Sequence, residues 1–263
     1  MKINDVIGYL DATFHPEYQE DYDNAGFLVG VGGEEYKGAL VALDLTPAVV
    51  DEARRLGLNL IVTHHPLIFG GIKCVTDRSE TGRMVIDMLR AGISAYAAHT
   101  NLDNMPDGVN GALCSHLGLS DCRILKPFAG DANLGAGMVG ELPEAMDAGL
   151  FLQRVKQVLG LPTVRYSGGS AYGKNAVKKV AVCGGAGSFL IGDAMEAGAD
   201  VYLTGDLKYH DFQRPEGRML LVDIGHYESE QFAKEIIYRA ISEKFCNFAC
   251  RISECQQSVV HYI

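Results

Sequence analysis

The sequence predicts an α/β protein with duplicated α/β/α halves, mainly parallel sheets and a smaller central lobe. Short apolar runs alternate with amphipathic helical segments in residues 1–118, and the same alternation returns in residues 179–263. The apolar runs are continuous, as expected for parallel strands that are covered on both faces. Residues 119–178 differ from both halves because they contain glycine and proline turns with short strand patterns. These three ranges are the predicted domains.

The pattern of the first half predicts a β-α-β-α-β order. Thr46 stands where a hydroxyl would cap the first helix, and Pro47 stands where a first helical turn accepts proline. Gly57 and Gly92 follow the two helices, where a left-handed C-terminal cap favours glycine. The five predicted elements occupy residues 39–43, 47–56, 58–62, 82–89 and 93–97.

The second half repeats this plan. Strands are predicted over residues 180–183, 201–203 and 219–222, with a helix over 188–197 and a long final helix whose apolar residues recur at a spacing near 3.6. When the halves are aligned, residues 62–66 fall opposite 203–206, and residues 98–103 fall opposite 225–230. The repeat therefore places polar residues at equivalent strand ends.

Composition and charge restrict the classes of partner. The 263 residues are 48% apolar and 21% charged, and the formal net charge of −10 disfavours binding to duplex nucleic acid. No apolar run of about 18 residues and no signal-peptide core is present, so no membrane segment is expected. The seven cysteines lack a Cys-x-x-Cys pair, which favours reduced thiols over a structural zinc site. A cytoplasmic protein is predicted.

Two glycine-rich segments resemble nucleotide-binding motifs. Gly135-x-Gly137-x-x-Gly140 matches a dinucleotide fingerprint in spacing, but Glu141-Leu142-Pro143 follows instead of a helix, so this function is not expected. Residues 184–188 do lie between a predicted strand and a helix. Their backbone N–H groups could bind a phosphate, although a tight turn capped by Ser188 is the favoured interpretation.

His64 and His65 end an apolar strand and precede Pro66. Adjacent strand residues point to opposite faces, so both imidazoles reach one site only if the chain turns here. Pro66 favours that turn because it restricts His65 to an extended conformation. Both side chains are expected at the carboxyl edge of the sheet, where open α/β folds bind ligands. Two buried core histidines are disfavoured because each ring carries two nitrogens that need partners.

Two later segments repeat a four-residue spacing between a histidine and a carboxylate. His99 and Asp103 follow one apolar strand, and His226 and Glu230 follow another. Asp103 is either a metal ligand or a turn residue, whereas His99 is favoured as a group that orients a ligand. Glu230 would stabilise a first helical turn without metal, but its two oxygens could also bridge two cations. With the histidine pair, these groups suit a pair of divalent transition metals.

A further polar segment, residues 204–211, follows the strand that the repeat aligns with the one before His64. Asp206, Lys208 and His210 are therefore expected to line the same edge of the sheet. They could contact a substrate, donate protons or form a surface turn. Asp206 and His210 join His99 as the candidate catalytic residues, in each case as proton carriers.

An ordered set of motifs resembles the Nif-three-like family, whose members are named GTP cyclohydrolase 1 type 2 homologs. The resemblance covers nearly the whole chain. Tyr22 stands where a tryptophan is common in the first motif. The motifs are residues 20–30, 63–69, 99–103, 204–206 and 223–226, together with Glu230.

The resemblance implies a dinuclear metal site. Carried over to this sequence, His65 and Asp103 hold one cation, His64 and His226 hold the other, and Glu230 bridges them. It also implies a toroidal homohexamer, and the chain is too short to contain the large inserted domain of longer members. The mixed ligands suit zinc, iron, manganese or nickel.

Two cations favour a hydrolase, because they lower the pKa of a shared water and polarise the bond under attack. The substrate is then a nucleotide or another small cyclic or phosphorylated molecule, opened by a cyclohydrolase or cleaved by a phosphoesterase. A non-catalytic metal-binding or regulatory protein is the alternative, because fold and ligands alone do not require catalysis.

Overall fold

Two mixed α/β sheets with mainly parallel strands form the chain, which confirms the predicted fold class. The structure is a computed structural model that describes residues 1–168, 176–255, 258–261 and 263. The chain divides into two units, the first of residues 1–102 and 233–257 and the second of residues 103–232 and 258–263. Each unit contains one of the sheets.

The helices and strands are numbered in chain order. The described helices are α1 (Ile3–Phe14), α2 (Pro47–Leu56), α3 (Glu80–Ala91), α4 (Thr100–Asp103), α5 (Val109–Leu117), α6 (Ala148–Leu159), α7 (Ile191–Glu196), α8 (His226–Glu230) and α9 (Ala233–Lys244). The described strands are β1 (Gly26–Val29), β2 (Gly38–Ala42), β3 (Leu60–Thr63), β4 (Ser94–Ala97), β5 (Ser120–Phe128), β6 (Asp131–Asp147), β7 (Arg165–Tyr166), β8 (Ala176–Val182), β9 (Val201–Thr204), β10 (Leu220–Asp223) and β11 (Ala249–Ile252).

The first unit is built on a five-stranded sheet in the order β1-β4-β3-β2-β11. All neighbours are parallel except β1, which runs antiparallel to β4. Strands β2, β3 and β4 are buried along their whole lengths, as their continuous apolar runs predict. The predicted caps of α2 and α3 are confirmed, because the Thr46 hydroxyl accepts the Val49 N–H and both Gly57 and Gly92 have positive φ angles.

The second unit is built on a six-stranded sheet in the order β5-β6-β8-β9-β10-β7. β8, β9 and β10 are parallel, and the other pairs are antiparallel. Alternate strand residues pack in two separate core clusters: Val182 and Leu203 pack with α5 and α6, whereas Ala181 and Tyr202 pack with α7. Helices therefore cover both faces of the parallel strands.

The unit boundaries differ from the predicted domains 1–118, 119–178 and 179–263. β5 and β6, from the predicted central lobe, pair with each other and with β8 of the second half, so they belong to its sheet. Backbone pairing thus joins the central segment and the second half into one sheet. Gly135, Gly137 and Gly140 lie within β6, which agrees with the rejection of a dinucleotide fingerprint.

The C-terminal region differs from the expected long helix. The helix is divided into α8 and α9, and Gln231 and Phe232 lie between them. α9 belongs to the first unit, whereas α8 belongs to the second. β11, which the sequence did not predict, then pairs in parallel with β2 from residues 249 to 252.

The helices are short relative to a lipid bilayer. The longest described ones, α1, α3, α6 and α9, have 12 residues each. A helix that spans the hydrocarbon core needs about 20 residues. Among the described residues, therefore, no helix is long and apolar enough to cross a membrane.

A buried carboxylate attaches the segment after β11 to α2. Glu52 accepts hydrogen bonds from the Ser253 hydroxyl (2.5 Å) and the Glu254 N–H (3.2 Å). Burial raises the pKa of Glu52, but these hydrogen bonds outweigh it and lower the pKa below 4.5. The ionised form is therefore the one that stabilises the fold.

We expect Glu52→Gln to lower the free energy of unfolding by about 1–2 kcal/mol at pH 7, because one acceptor in a buried network becomes a donor. Because the folded-state pKa is depressed, this stabilisation is fully present above the ordinary glutamate pKa and is lost as the pH falls through the folded value. Urea denaturation at pH 7 and at steps below pH 4.5 measures the difference in free energy of unfolding between the wild type and Glu52→Gln. This difference should become smaller as the pH falls. Asp51→Asn, at an exposed neighbouring carboxylate, is the control. An equal loss in both variants would contradict the assignment.

Candidate metal centre

Three histidines come together at the carboxyl ends of β3 and β4 in the first unit. Thr63 pairs with Ala97, so the residues that follow the two strands leave the sheet side by side. The ring centroids of His64, His65 and His99 are 5.0, 5.3 and 5.4 Å apart. One ligand atom from each ring lies within 4.8 Å of the others, a separation compatible with a shared metal ion. The sequence predicted this placement for His64 and His65.

Each of these rings is oriented by an oxygen at Nδ1. The Nδ1 of His64 lies 2.7 Å from the Ala98 carbonyl oxygen, and the Nδ1 of His65 lies 2.6 Å from Asp44 Oδ1. The Nδ1 of His99 lies 2.7 Å from Asp23 Oδ1. A carbonyl oxygen only accepts, so Nδ1 of His64 carries the proton and Nε2 is the acceptor nitrogen of the ring. The same tautomer suits the other two rings. Metal-binding histidines are commonly held in this way.

Asp23, the partner of His99, accepts further hydrogen bonds in addition to the one from the ring. Its carboxylate also accepts the Thr100 N–H (3.0 Å) and the Thr100 hydroxyl (2.5 Å). Burial raises the pKa of Asp23, but the hydrogen bonds from His99 and Thr100 outweigh it and lower the pKa to about 2. The Asp23 carboxylate is therefore ionised and holds the His99 ring at Nδ1. The orienting or proton-carrying role of His99 stays a prediction from the sequence.

Aromatic side chains lie beside the histidine cluster in the first unit. The Phe69 ring packs edge-to-face against His99 at 5.8 Å, and Tyr22 packs against Phe69 at 6.2 Å. The Asn24 amide donates to the Ile68 carbonyl, which connects the first motif to the segment after Pro66. Tyr22 is thus an aromatic neighbour of the segment after Pro66.

The second unit brings His226 and Glu230 together at the start of α8. His226 Nε2 lies 3.0 Å from Glu230 Oε2, so the predicted one-turn spacing is confirmed. His226 Nδ1 lies 2.8 Å from Asp206 Oδ2. The nitrogen and the carboxylate oxygen face each other at a separation typical of two ligands of one cation. Asp206, a candidate catalytic residue, thus orients His226 in this structure.

Asp206 holds this position with an unusual backbone. Its φ angle is +56°, in the left-handed region that non-glycine residues seldom occupy. Such backbone strain is concentrated at functional sites. His210, the other candidate from this segment, is exposed, and its ring packs against Tyr209 at 5.2 Å. His210 belongs to none of the groups of metal-ligating atoms found among the described residues.

Glu230 is 3% exposed and lies against a glycine turn. A Cβ atom on Gly185 would be 2.2 Å from Glu230 Oε1, so only glycine permits the observed carboxylate position. Burial raises the pKa of the Cys183 thiol, and the negative charges of Asp103 and Glu230 raise it further. Both predicted carboxylate ligands therefore lie close to this thiol in the second unit.

The glycine turn over residues 184–187 donates three of its N–H groups to neighbouring side chains. The Gly184 N–H donates to Asn110 Oδ1 (2.9 Å), and the Asn110 amide donates to the Asp103 carbonyl oxygen (3.0 Å). The Gly185 N–H donates to the Ser229 hydroxyl (2.9 Å). The Gly187 N–H donates to Thr204, so the turn is closed by Thr204 and Ser229 and not by the expected Ser188 cap.

Several residues that hold the candidate ligands are not predicted from the sequence. Asp23 precedes β1 and Asp44 follows β2, where an acidic side chain is common in a turn. Asn110 and Ser229 gave no signal, because a polar residue in a helical pattern is usually solvated. Their roles are visible only as hydrogen bonds to the residues that carry the candidate ligands.

Comparison with known proteins gives a consistent family relationship. The family model described as Duf34/NIF3 (NGG1p interacting factor 3) matches residues 1–258. A Clostridium perfringens protein named GTP cyclohydrolase 1 type 2 homolog is 35% identical over 233 residues, which are 88% of this chain and 87% of that protein. A Nostoc protein of the same name is 37% identical over 238 residues, 88% of each chain.

Solved structures share the whole fold. The Staphylococcus aureus hypothetical protein SA1388 superimposes with a TM-score of 0.89 at 29% identity, over 100% of this chain and 99% of that chain. Reduced HcgD from Methanocaldococcus jannaschii superimposes with a TM-score of 0.82 at 26% identity, over 97% and 98% of the two chains. The fold is therefore shared with these proteins.

We expect Gly185→Ala to weaken metal binding by at least about 10-fold, because the new methyl group displaces the Glu230 carboxylate. The positive φ of 61° adds a backbone cost of about 1–2 kcal/mol. Zinc affinity, measured by competition with a chelator, and urea denaturation test both effects. Gly192→Ala is the matched control, since nothing lies within 4 Å of the position that its methyl group would take. Equal zinc affinity in the two variants would refute the proposed role of Gly185.

Proposed function

Because this chain belongs to the Duf34/NIF3 (NGG1p interacting factor 3) family, we propose that it is a metal-dependent hydrolase. One observation carries the proposal: four histidines from the predicted motifs each have Nδ1 held by an oxygen, which directs Nε2 towards a ligand position. The imidazole and carboxylate donors fit divalent zinc, iron, manganese or nickel. A purely structural site is less suited to them, because the predicted ligands follow strand ends, where catalytic groups gather.

The five predicted ligands, His64, His65, Asp103, His226 and Glu230, would hold two divalent cations, with Glu230 shared by both. Such cations lower the pKa of a coordinated water and polarise the bond under attack. Five protein ligands for two ions leave room for water and substrate.

The chain's own residues orient the ligands and move protons. Asp44 and Asp206 hold His65 and His226 through Nδ1, so the carboxylates fix ring direction. The ionised Asp23 holds Nδ1–H of His99, so Nε2 of His99 is the nitrogen that accepts or returns a proton. A protonating role for His210 stays a prediction from the sequence.

The substrate we propose is a nucleotide or another small cyclic or phosphorylated molecule. The name carried by the relatives, GTP cyclohydrolase 1 type 2 homolog, supports hydrolytic opening of a purine imidazole ring as the first reaction to test. A phosphoesterase would use the same cations as a clamp on phosphate. Homohexameric assembly and a cytoplasmic location stay predictions.

We expect untagged protein purified without chelators to contain about two divalent ions per chain. His65→Ala and Glu230→Gln should each lose metal, because each removes a donor, while keeping the circular dichroism spectrum of the folded chain. Inductively coupled plasma mass spectrometry gives the metal content. His261→Ala, at an exposed histidine, is the control for incidental binding. One tightly bound ion or none in the wild type would exclude the dinuclear centre.

We expect turnover of a purine nucleotide or a phosphoester to fall at least about 100-fold in His226→Ala at equal metal loading, because its Nε2 faces the Glu230 carboxylate. Chromatography with mass detection separates a ring-opened product from free phosphate, which distinguishes a cyclohydrolase from a phosphoesterase. Activity that survives the substitution belongs to a contaminant. Absence of turnover with every class, in a metal-loaded protein, would favour the non-catalytic metal-binding alternative.

A further inference from the structure

Asp223, the last residue of β10, has a buried carboxylate with partners on both oxygens. Oδ1 accepts the Gly225 N–H at 3.0 Å, and Oδ2 accepts the Leu207 N–H at 3.0 Å. The guanidinium of Arg165 also donates to Oδ2. Asp223 is 7% exposed, so these bonds replace water that the folded chain excludes.

The two backbone groups held by Asp223 are the neighbours of the Asp206–His226 pair. Leu207 follows Asp206, and Gly225 precedes His226, so one carboxylate joins the loop after β9 to the loop after β10. Both loops have left-handed backbone at this point, with φ angles of +56° at Asp206 and +80° at Gly225. A left-handed conformation at a non-glycine residue costs about 1 kcal/mol, so the loop needs such an external constraint to keep it.

Arg165 completes the connection from the other side. It lies on β7, directly opposite Asp223 in the sheet register. Its guanidinium also donates to the Leu207 carbonyl oxygen at 3.0 Å and lies 5.7 Å from the centroid of the Phe212 ring. One guanidinium nitrogen, Nη2, therefore donates both to the Asp223 carboxylate and to the Leu207 carbonyl oxygen.

We propose that Asp223 and Arg165 are positioning residues for His226, acting through the Asp206–His226 hydrogen bond. They hold both loops at the separation at which Asp206 Oδ2 reaches Nδ1 of His226 (2.8 Å), and thereby set the metal affinity of the centre. Neither residue contacts a cation in this arrangement. The inference rests on the proposed metal-binding function.

The first test is Asp223→Asn, with zinc alone as the probe. Asparagine offers one acceptor oxygen and an NH₂ group, so it cannot accept from Gly225 and Leu207 together, and one loop is released. We expect apparent zinc affinity to fall about 10-fold in competition with a chromophoric chelator. Unchanged affinity in a variant that melts like the wild type would overturn the inference.

Arg165→Met is the second variant, and it tests the inference even if Asp223→Asn does not fold. The Arg165 side chain is 61% exposed, and Arg218, whose side chain is 64% exposed and pairs with Glu216, is the matched control for loss of a surface charge. We expect Arg165→Met to lower zinc affinity and Arg218→Met to leave it unchanged. Arg165→Lys should give an intermediate value, because lysine keeps a charged donor without the fixed planar geometry of the guanidinium group. Equal affinities for Arg165→Met and Arg218→Met would overturn the assignment of Arg165.

A double-mutant cycle separates positioning from general destabilisation. If Asp223 acts through His226, Asp223→Asn should cause no additional loss of zinc affinity in a His226→Ala background. An undiminished loss in that background would show that Asp223 acts on the fold and would overturn the positioning role. A wild type that binds none of zinc, iron, manganese and nickel would instead refute the proposed function itself, which is thus distinguishable from the failure of this inference.

Discussion

The candidate centre depends on the hydrogen bond that holds each imidazole at Nδ1. An unrestrained imidazole has two tautomers and rotates about two side-chain torsions, so its Nε2 has no fixed direction. An oxygen at 2.6–2.8 Å from Nδ1 removes both freedoms in His64, His65, His99 and His226. Three of these oxygens, on Asp44, Ala98 and Asp206, follow strands that pair in parallel with the strand before the ring they hold. The fourth, on Asp23, precedes β1, which is antiparallel to β4. The register of the parallel strands therefore fixes the direction of the imidazole rings of His64, His65 and His226.

The second unit shows how the backbone accommodates a buried carboxylate. Glu230 is almost fully buried, and the nearest chain segment approaches it without side chains at Gly184 and Gly185. The N–H groups of Gly184 and Gly185 are satisfied by Asn110 and Ser229, so these two glycines bring no unpaired N–H donor against the carboxylate. Ser229 also donates to the carbonyl oxygen of His226, which connects the turn to the first residue of α8. The same hydrogen bonds thus support the ligand and the fold.

Strand-end residues were predictable from the sequence, whereas the groups that hold them were not. His64 and His65 follow a continuous apolar run and precede Pro66, so local pattern alone places them at a sheet edge. Asp23 is 76 residues from His99, and Asp44 is 21 residues from His65, so no local spacing connects either pair. The boundaries of the two units also depend on contacts between distant residues. β5 and β6 join the sheet of β8 through strand pairing that composition does not reveal. The half-exposed β11 lacks the apolar run by which the inner strands were recognised.

Both units use an aspartate to hold a histidine in the same way, and the predicted alignment of the halves did not include this similarity. In the first unit an aspartate after β2 holds a histidine after the adjacent parallel strand β3, and in the second an aspartate after β9 holds a histidine after β10. The alignment had placed His226 opposite His99 instead. His64 differs, because a backbone carbonyl oxygen holds its Nδ1 in place of a carboxylate. Because His64 is fully buried, a neutral acceptor avoids the cost of burying another charge, whereas the more exposed His65 and His226 tolerate carboxylate partners. His99 shows that burial alone does not decide the kind of oxygen, because the Asp23 carboxylate that holds this ring has a fully buried side chain. That carboxylate also accepts the Thr100 N–H and hydroxyl, which compensate for its burial.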